Sequence, residues 1–277
     1  MAIVIKRLSK NANLKKCPHC GSKLRSNTPQ GRNAPVANFT EKFACSTLNK
    51  ALNKINKGDL EAKRSVICDK LGLNNRSEAD VAVVKKGNSS RIYEPEEIKL
   101  IFEIKMSLVW NWEPKSNQIE MVSDYDKHCG RGSIYRTDSI LKAIGKGAIF
   151  RSHKGSNQIP YIVIGNCPPA PGYFDKIDGS VRSGIIQKFL SLNPEPLIID
   201  KSDKNKRNPK NSEGDGYLRI DTIEELSEII KYYLESEQVF IGAMIKNYDL
   251  GKLIKSLNLS NSPEEIGHEF FEKIYRE

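Results

Sequence analysis

Two short apolar runs carry charge where a buried strand should carry none. Asp80 stands at the mouth of Val81 to Val84, and 23 residues later Glu103 and Lys105 interrupt the run from Ile101 to Met106. Side chains alternate faces along a strand, so Glu103 and Lys105 share one side while Phe102 and Ile104 point to the other and can enter a core. The turn residues Lys86-Gly-Asn-Ser-Ser90 and Pro95 lie between the runs. If the two strands pair, two carboxylates and an ammonium converge at one end of a hairpin. Two hard oxygen ligands suit Mg²⁺, which keeps several waters and draws the rest of its shell from substrate phosphate. Beside it, a lysine can lower the pKa of an attacking water or stabilise charge on a phosphorane-like transition state. An exposed edge hairpin whose Glu103 and Lys105 face water is the ordinary alternative.

Asp80 followed by Glu103-Ile104-Lys105 resembles the signature of the PD-(D/E)XK nuclease superfamily, and within it most the type II restriction endonucleases. The resemblance is local, covering roughly residues 59 to 164, and the proline that usually precedes the aspartate is replaced by Ala79. It implies an α/β fold in which a mixed central β-sheet is flanked by helices, a restriction endonuclease-like core. It also implies a Mg²⁺-dependent cut in double-stranded DNA at a specific sequence, with Asp80 and Glu103 on the metal and Lys105 on the water. A homodimer follows from the same resemblance, a two-fold axis being the simplest way to cut both strands of a symmetric site. The superfamily often adds an acid from the helix before the hairpin. Glu61 fits by position and Glu41 competes, although an acid near a helix N-terminus is ordinarily explained by the macrodipole. Two other readings stay open: a repair or recombination nuclease with the same site, and a non-catalytic zinc-knuckle DNA-binding protein.

Composition agrees with a DNA-handling enzyme. The chain has 277 residues, enough for a sizeable core, and 44 Lys and Arg against 34 Asp and Glu give a formal net charge of +10. Such a surplus favours a polyanionic partner. No apolar stretch is long enough to span a membrane and the N-terminal run is too short for a signal peptide, which together predict a cytoplasmic protein. Cys17-Pro-His-Cys20-Gly21 has the turn of a zinc knuckle without a second Cys-x-x-Cys, so Zn²⁺ at Cys17 and Cys20 competes with a plain pair of reduced thiols.

The elements that must position these residues fall in two parts. Residues 1–36 form a basic extension containing the Cys-x-x-Cys turn. Residues 37–277 form the nuclease domain, with a catalytic core at about 59–165 and an α/β continuation over 166–277. The periodicity predicts a helix from Asn38 or Thr40 to Lys57, then a second from Asp59 to Leu71 that would carry Glu61. Ser107 to Arg136 reads as a long irregular segment for DNA contact, with Trp110, Arg131 and Arg136 as candidates. Thr137 to Phe150 reads as a crossover helix leading to a strand at Pro160 to Gly165 parallel to the catalytic one. Beyond lie a helix near Val181 to Leu190, a strand at Pro196 to Asp200, a helix from Asp221 to Leu234, a strand near Val239 to Ile245 and a last helix from Ser262 to Tyr275. Lys201 to Lys210 is a basic loop in which Lys204, Lys206 and Arg207 either meet phosphates or are merely solvated.

Overall fold

The computed structural model describes residues 30–106, 111–115, 118–123, 133–192, 209–236 and 247–276. Cys17, Cys20, Trp110, Arg131, Lys204, Lys206 and Arg207, and the strands expected at 196–200 and 239–245, lie outside them. The chain runs α1 (Gln30–Lys54), β1 (Leu60–Val66), β2 (Ala79–Lys85), β3 (Ile98–Lys105), β4 (Asn111–Lys115), β5 (Gln118–Ser123), α2 (Thr137–Arg151), β6 (Tyr161–Gly165), α3 (Phe174–Arg182), β7 (Lys188–Leu192), β8 (Tyr217–Ile220), α4 (Ile223–Glu235), α5 (Asn247–Lys255) and α6 (Pro263–Arg276).

Six strands form one mixed sheet in the order β1-β2-β3-β6-β7-β8. The first three are antiparallel and the last four, from β3 onward, parallel. The parallel half follows from α2 and α3, since a parallel return needs a crossover long enough to hold a helix. The core has two halves, one on each face of the sheet. Val81, Val83, Leu100, Phe102, Ile104, Ile162 and Leu190 pack with Ala44, Leu48 and Leu52 of α1 and Leu226 and Ile230 of α4. Ala82, Val84, Ile101, Val163 and Phe189 pack with Ile140, Ala143 and Phe150 of α2 and Ile177 of α3. The α/β class and the mixed, helix-flanked sheet are therefore as expected. No helix among the described residues is long and apolar enough to cross a membrane.

Several expected elements differ. Asp59 to Leu71 is not a helix: Leu60–Val66 is the edge strand β1, and only Asp69–Leu71 makes a single 3₁₀ turn, closed by Gly72 in the left-handed region. Tertiary pairing with β2 overrides the helical spacing of Leu60, Ile67 and Leu71. The open side of β1 is blunted by α1. Asn49 accepts from Ala62 N at 2.9 Å and donates to Ala62 O at 3.0 Å, which satisfies the edge as a neighbouring strand would. Helix α1 also begins well before Asn38, so Thr40 is no cap. Its hydroxyl bonds back to the carbonyls of Val36 and Ala37 inside the helix. The helix expected near Val181 to Leu190 is the end of α3 followed by β7, with Gly184 at φ 71° making the break. Ser107 to Arg136 is not wholly irregular, because β4 and β5 pair as an antiparallel hairpin. The last helix begins as the sequence suggests, Ser262 and Glu265 bonding reciprocally through side chain and backbone amide.

Candidate active site

The register of the β2–β3 hairpin sets the site. Val81 pairs with Phe102 and Ala82 with Ile101, which brings Asp80 level with Glu103 at the end of the ladder. Phe102 and Ile104 are in the α1–α4 half of the core, so Glu103 and Lys105 face α2, as alternation requires. On its other side β3 pairs in parallel with β6, Glu103 against Val163 and Lys105 against Gly165. The site thus sits where the antiparallel half of the sheet meets the parallel half.

Glu103 is its floor, only 1% exposed. One carboxylate oxygen, Oε1, takes the Lys105 ammonium. The other, Oε2, accepts from Lys146 Nζ at 2.6 Å and from the Tyr161 hydroxyl at 3.1 Å. Asp80 is nearer the rim, its side chain 19% exposed. Its Oδ2 accepts from the Ile104 amide at 2.8 Å, and its Oδ1 lies 3.5 Å from Lys146 Nζ. The sequence reading missed Lys146 and Tyr161. A signal for Lys146 was present: it falls among Ile140, Ala143, Gly147 and Phe150, the stripe that α2 buries against the sheet, where a lysine is out of place. Tyr161 reads only as a core aromatic at the head of a strand.

Three devices hold these groups. Ser133 donates to the Lys105 carbonyl and accepts from Asn166 N at 3.0 Å, tying the ends of β3 and β6 together. Gly165 lets that segment approach, since a Cβ there would stand 2.8 Å from Ile134 Cγ1 and from Ser133 Oγ. At the end of α2 the buried Arg151 donates to the carbonyls of Ser156 and Ile159 and to Gln187 Oε1, which also accepts from the Tyr161 amide. The helix that carries Lys146 and the strand that carries Tyr161 are thereby fixed to each other.

The electrostatics separate the two carboxylates. Burial, reinforced by the charge of Glu103, pushes Asp80 up from 3.8 to about 6. Glu103 is buried more deeply, and desolvation alone would raise it, but Lys105 and Lys146 together outweigh that and hold it below its ordinary value. For Lys146 the same balance has the opposite sign: burial lowers it, Glu103 and Asp80 more than compensate, and the ammonium is favoured. Burial drives the Tyr161 phenol well above its usual range, so it stays a donor to Glu103.

Other candidates fall away from this cluster. Glu61 is on β1 rather than on a helix, and pairs with Lys63 at 3.3 Å. Its strand partner is Val84, four residues along β2 from Asp80 and so about 13 Å away, too far to share a metal. Glu41 is on α1, on the opposite side of the sheet, where it meets Arg64 at 3.2 Å. Among the described residues no helix acid joins the pair. Glu78 is bound to Arg91 at 2.7 Å. Arg136 is exposed at the start of α2 with its guanidinium spread over Asp138 at 3.0 and 3.1 Å, so the fork that would read a guanine is engaged within the chain. Lys210, which closes the basic loop, is held by Asp221 at 2.9 Å and Glu225 at 2.7 Å rather than standing free for phosphate.

The donor set can be tested for Mg²⁺. Asp80 and Glu103 each turn an oxygen to one ammonium, Lys146, so a cation is already held where the carboxylates meet. Two hard oxygens with water and phosphate completing the shell are what Mg²⁺ takes. Among the described residues no group of three or more His, Cys, Asp and Glu comes together, so no closed protein cage for a metal is found there. Cys45, Cys68 and Cys167 form no disulfide among the described residues. In comparisons with family models, curated proteins and solved structures, no match to this chain was found.

Proposed function

We propose that the chain is a Mg²⁺-dependent endonuclease of double-stranded DNA, of restriction type. The observation that carries the reading is the convergence of Asp80, Glu103 and Lys105 at one end of a buried hairpin, with Glu103 almost wholly inaccessible. A carboxylate costs several kcal/mol to bury without compensation, so an accidental surface motif would not place one there. The exposed-hairpin alternative fails on the same ground. Asp80 and Glu103 would hold the metal, which supplies Lewis acidity at the phosphorus and a more acidic bound water. Lys105 would orient that water and meet charge on the non-bridging oxygens. The water would give up one proton to solvent as its oxygen bonds to phosphorus, the bond from phosphorus to one sugar oxygen would break, and the departing oxygen would take a proton from solvent water.

Charge balance supports the assignment. Two carboxylates and two ammoniums sum to zero, so a bound Mg²⁺ leaves the site at +2, suited to a phosphodiester that gains negative charge on the way to its transition state. The net charge of +10 suits the duplex at large. A homodimer and structural Zn²⁺ at Cys17 and Cys20 remain parts of the proposal that rest on sequence.

Incubation of the purified protein with plasmid DNA in Mg²⁺, Mn²⁺, Ca²⁺ or EDTA is the test. Cleavage in Mg²⁺ and Mn²⁺ is expected, with Ca²⁺ supporting binding and little or no cutting. Full activity in EDTA would exclude the mechanism. Discrete, reproducible fragments would mark a sequence-specific enzyme, whereas dependence on branched or damaged DNA would mark a repair nuclease built on the same site.

A further inference from the structure

Glu103 is bridged by two ammonium groups, Lys105 on one oxygen and Lys146 on the other, and only Lys105 belongs to the strand motif. Among the described residues, Lys146 is the one ammonium that reaches both carboxylates, at 2.6 Å from Glu103 Oε2 and 3.5 Å from Asp80 Oδ1. It comes from α2, a separate element latched in place through Arg151 and Gln187. Its side chain is 34% exposed, so it is not walled into the core. A divalent ion entering between Asp80 and Glu103 would need the same oxygens. Two cations cannot share them, so the ammonium must move, and the nearest fresh anion would be the phosphate that the metal brings in.

We infer that Lys146 is the resident counter-ion of the Asp80–Glu103 pair, gives way to the divalent metal, and then serves as a second catalytic ammonium on the scissile phosphate. This rests on the nuclease reading above. The consequence is a trade: Lys146 opposes metal binding in the free protein and favours the transition state in the loaded one. A lysine that merely anchors α2 would do neither.

The test compares wild type, Lys146→Met and Lys146→Arg by isothermal titration with Mn²⁺ and by single-turnover cleavage of plasmid DNA at saturating Mn²⁺. Methionine keeps the length and helix preference without the charge. Lys146→Met should bind Mn²⁺ about tenfold tighter or more, since no ammonium has to be displaced. It should cut about a hundredfold more slowly, the usual loss when one charge-stabilising donor is removed, with Lys146→Arg recovering part of the rate. Unchanged or weaker Mn²⁺ binding by Lys146→Met would overturn the shared place. Tighter binding with wild-type cutting would overturn the phosphate role. A wild-type protein that binds Mn²⁺ yet cuts no DNA would remove the nuclease reading, and the phosphate role with it, while the titration would still decide whether Lys146 and metal compete.

Discussion

Replacing Asp80 by Asn should stabilise the metal-free protein, and by an amount that depends on pH. The folded chain raises this carboxyl from 3.8 to about 6, with burial the larger cause and the Glu103 charge the second. A raised carboxyl binds its proton more tightly folded than unfolded, so its contribution to stability is present at pH below the unfolded value. That contribution is lost as pH rises through about 6. At 1.36 kcal/mol for each factor of ten, the ionised form costs the fold about 3 kcal/mol above pH 7. Asparagine keeps the oxygen that accepts from the Ile104 amide and never ionises. Asp80→Asn should therefore be more stable than wild type by about 3 kcal/mol at pH 8, a rise of roughly 6 °C or more in melting temperature for a chain of this size. The gap should shrink to about half at pH 5 and nearly close at pH 4. Thermal melts at these pH values in EDTA provide the measurement. A variant less stable than wild type at pH 8, or a gap that does not change between pH 8 and pH 5, would refute the account of Asp80 as a carboxylate held against its preference.

Further expectations follow from the same geometry. Glu41→Ala and Glu61→Ala should both cut DNA at close to the wild-type rate, because neither acid reaches Asp80 and Glu103; a loss beyond about tenfold for either in a cleavage assay would restore it to the site. Gly165→Ala should destabilise by about 1–3 kcal/mol in chemical denaturation, as its methyl would meet Ile134 and Ser133 at contacts no Cβ tolerates. Alanine at Lys204, Lys206 and Arg207 together should reduce the slope of log affinity against log salt by about 2 to 3 without moving the cutting site, at about 0.9 per lost phosphate contact. An unchanged slope would assign that loop to solvent.

The residues most legible in the sequence were those that broke a rule. Asp80, Glu103 and Lys105 stand out because β-branched runs exclude charge, and strict alternation then fixes which face each side chain takes. The crossover from β3 through α2 to β6 was readable for a similar reason, a long apolar stripe followed by a fully buried strand. The failures came where two periods overlapped. In β1 the left-handed residue Ser65, φ 55°, interrupts the alternation, so Ala62 packs on the α1 side and Val66 on the other. Leu60, Val66, Ile67 and Leu71 then imitate a helical stripe, and Glu61 went with them onto a helix that does not exist. Val181, Ile185 and Leu190 imitate another across the break at Gly184. Tyr161 was beyond reach for a different reason, and for Lys146 the sequence offers a charge in a buried stripe but not its partner. Nothing local to α2 or β6 says that each will meet Glu103, because that contact depends on long-range pairing of β3 with β6.

The central claim is that Glu103, with Asp80 and Lys105, forms a metal-dependent phosphodiesterase centre. The most direct test measures Mg²⁺-dependent cleavage of a defined DNA by wild type and Glu103→Gln, with binding of the same DNA measured in Ca²⁺. Glutamine preserves the shape of the buried side chain and removes the charge that the metal needs. The account predicts cleavage reduced by at least about a thousandfold, of the order lost when a catalytic group is removed, with DNA affinity in Ca²⁺ falling far less, because phosphate contacts elsewhere supply most of it. Cleavage by Glu103→Gln at the wild-type rate would contradict it.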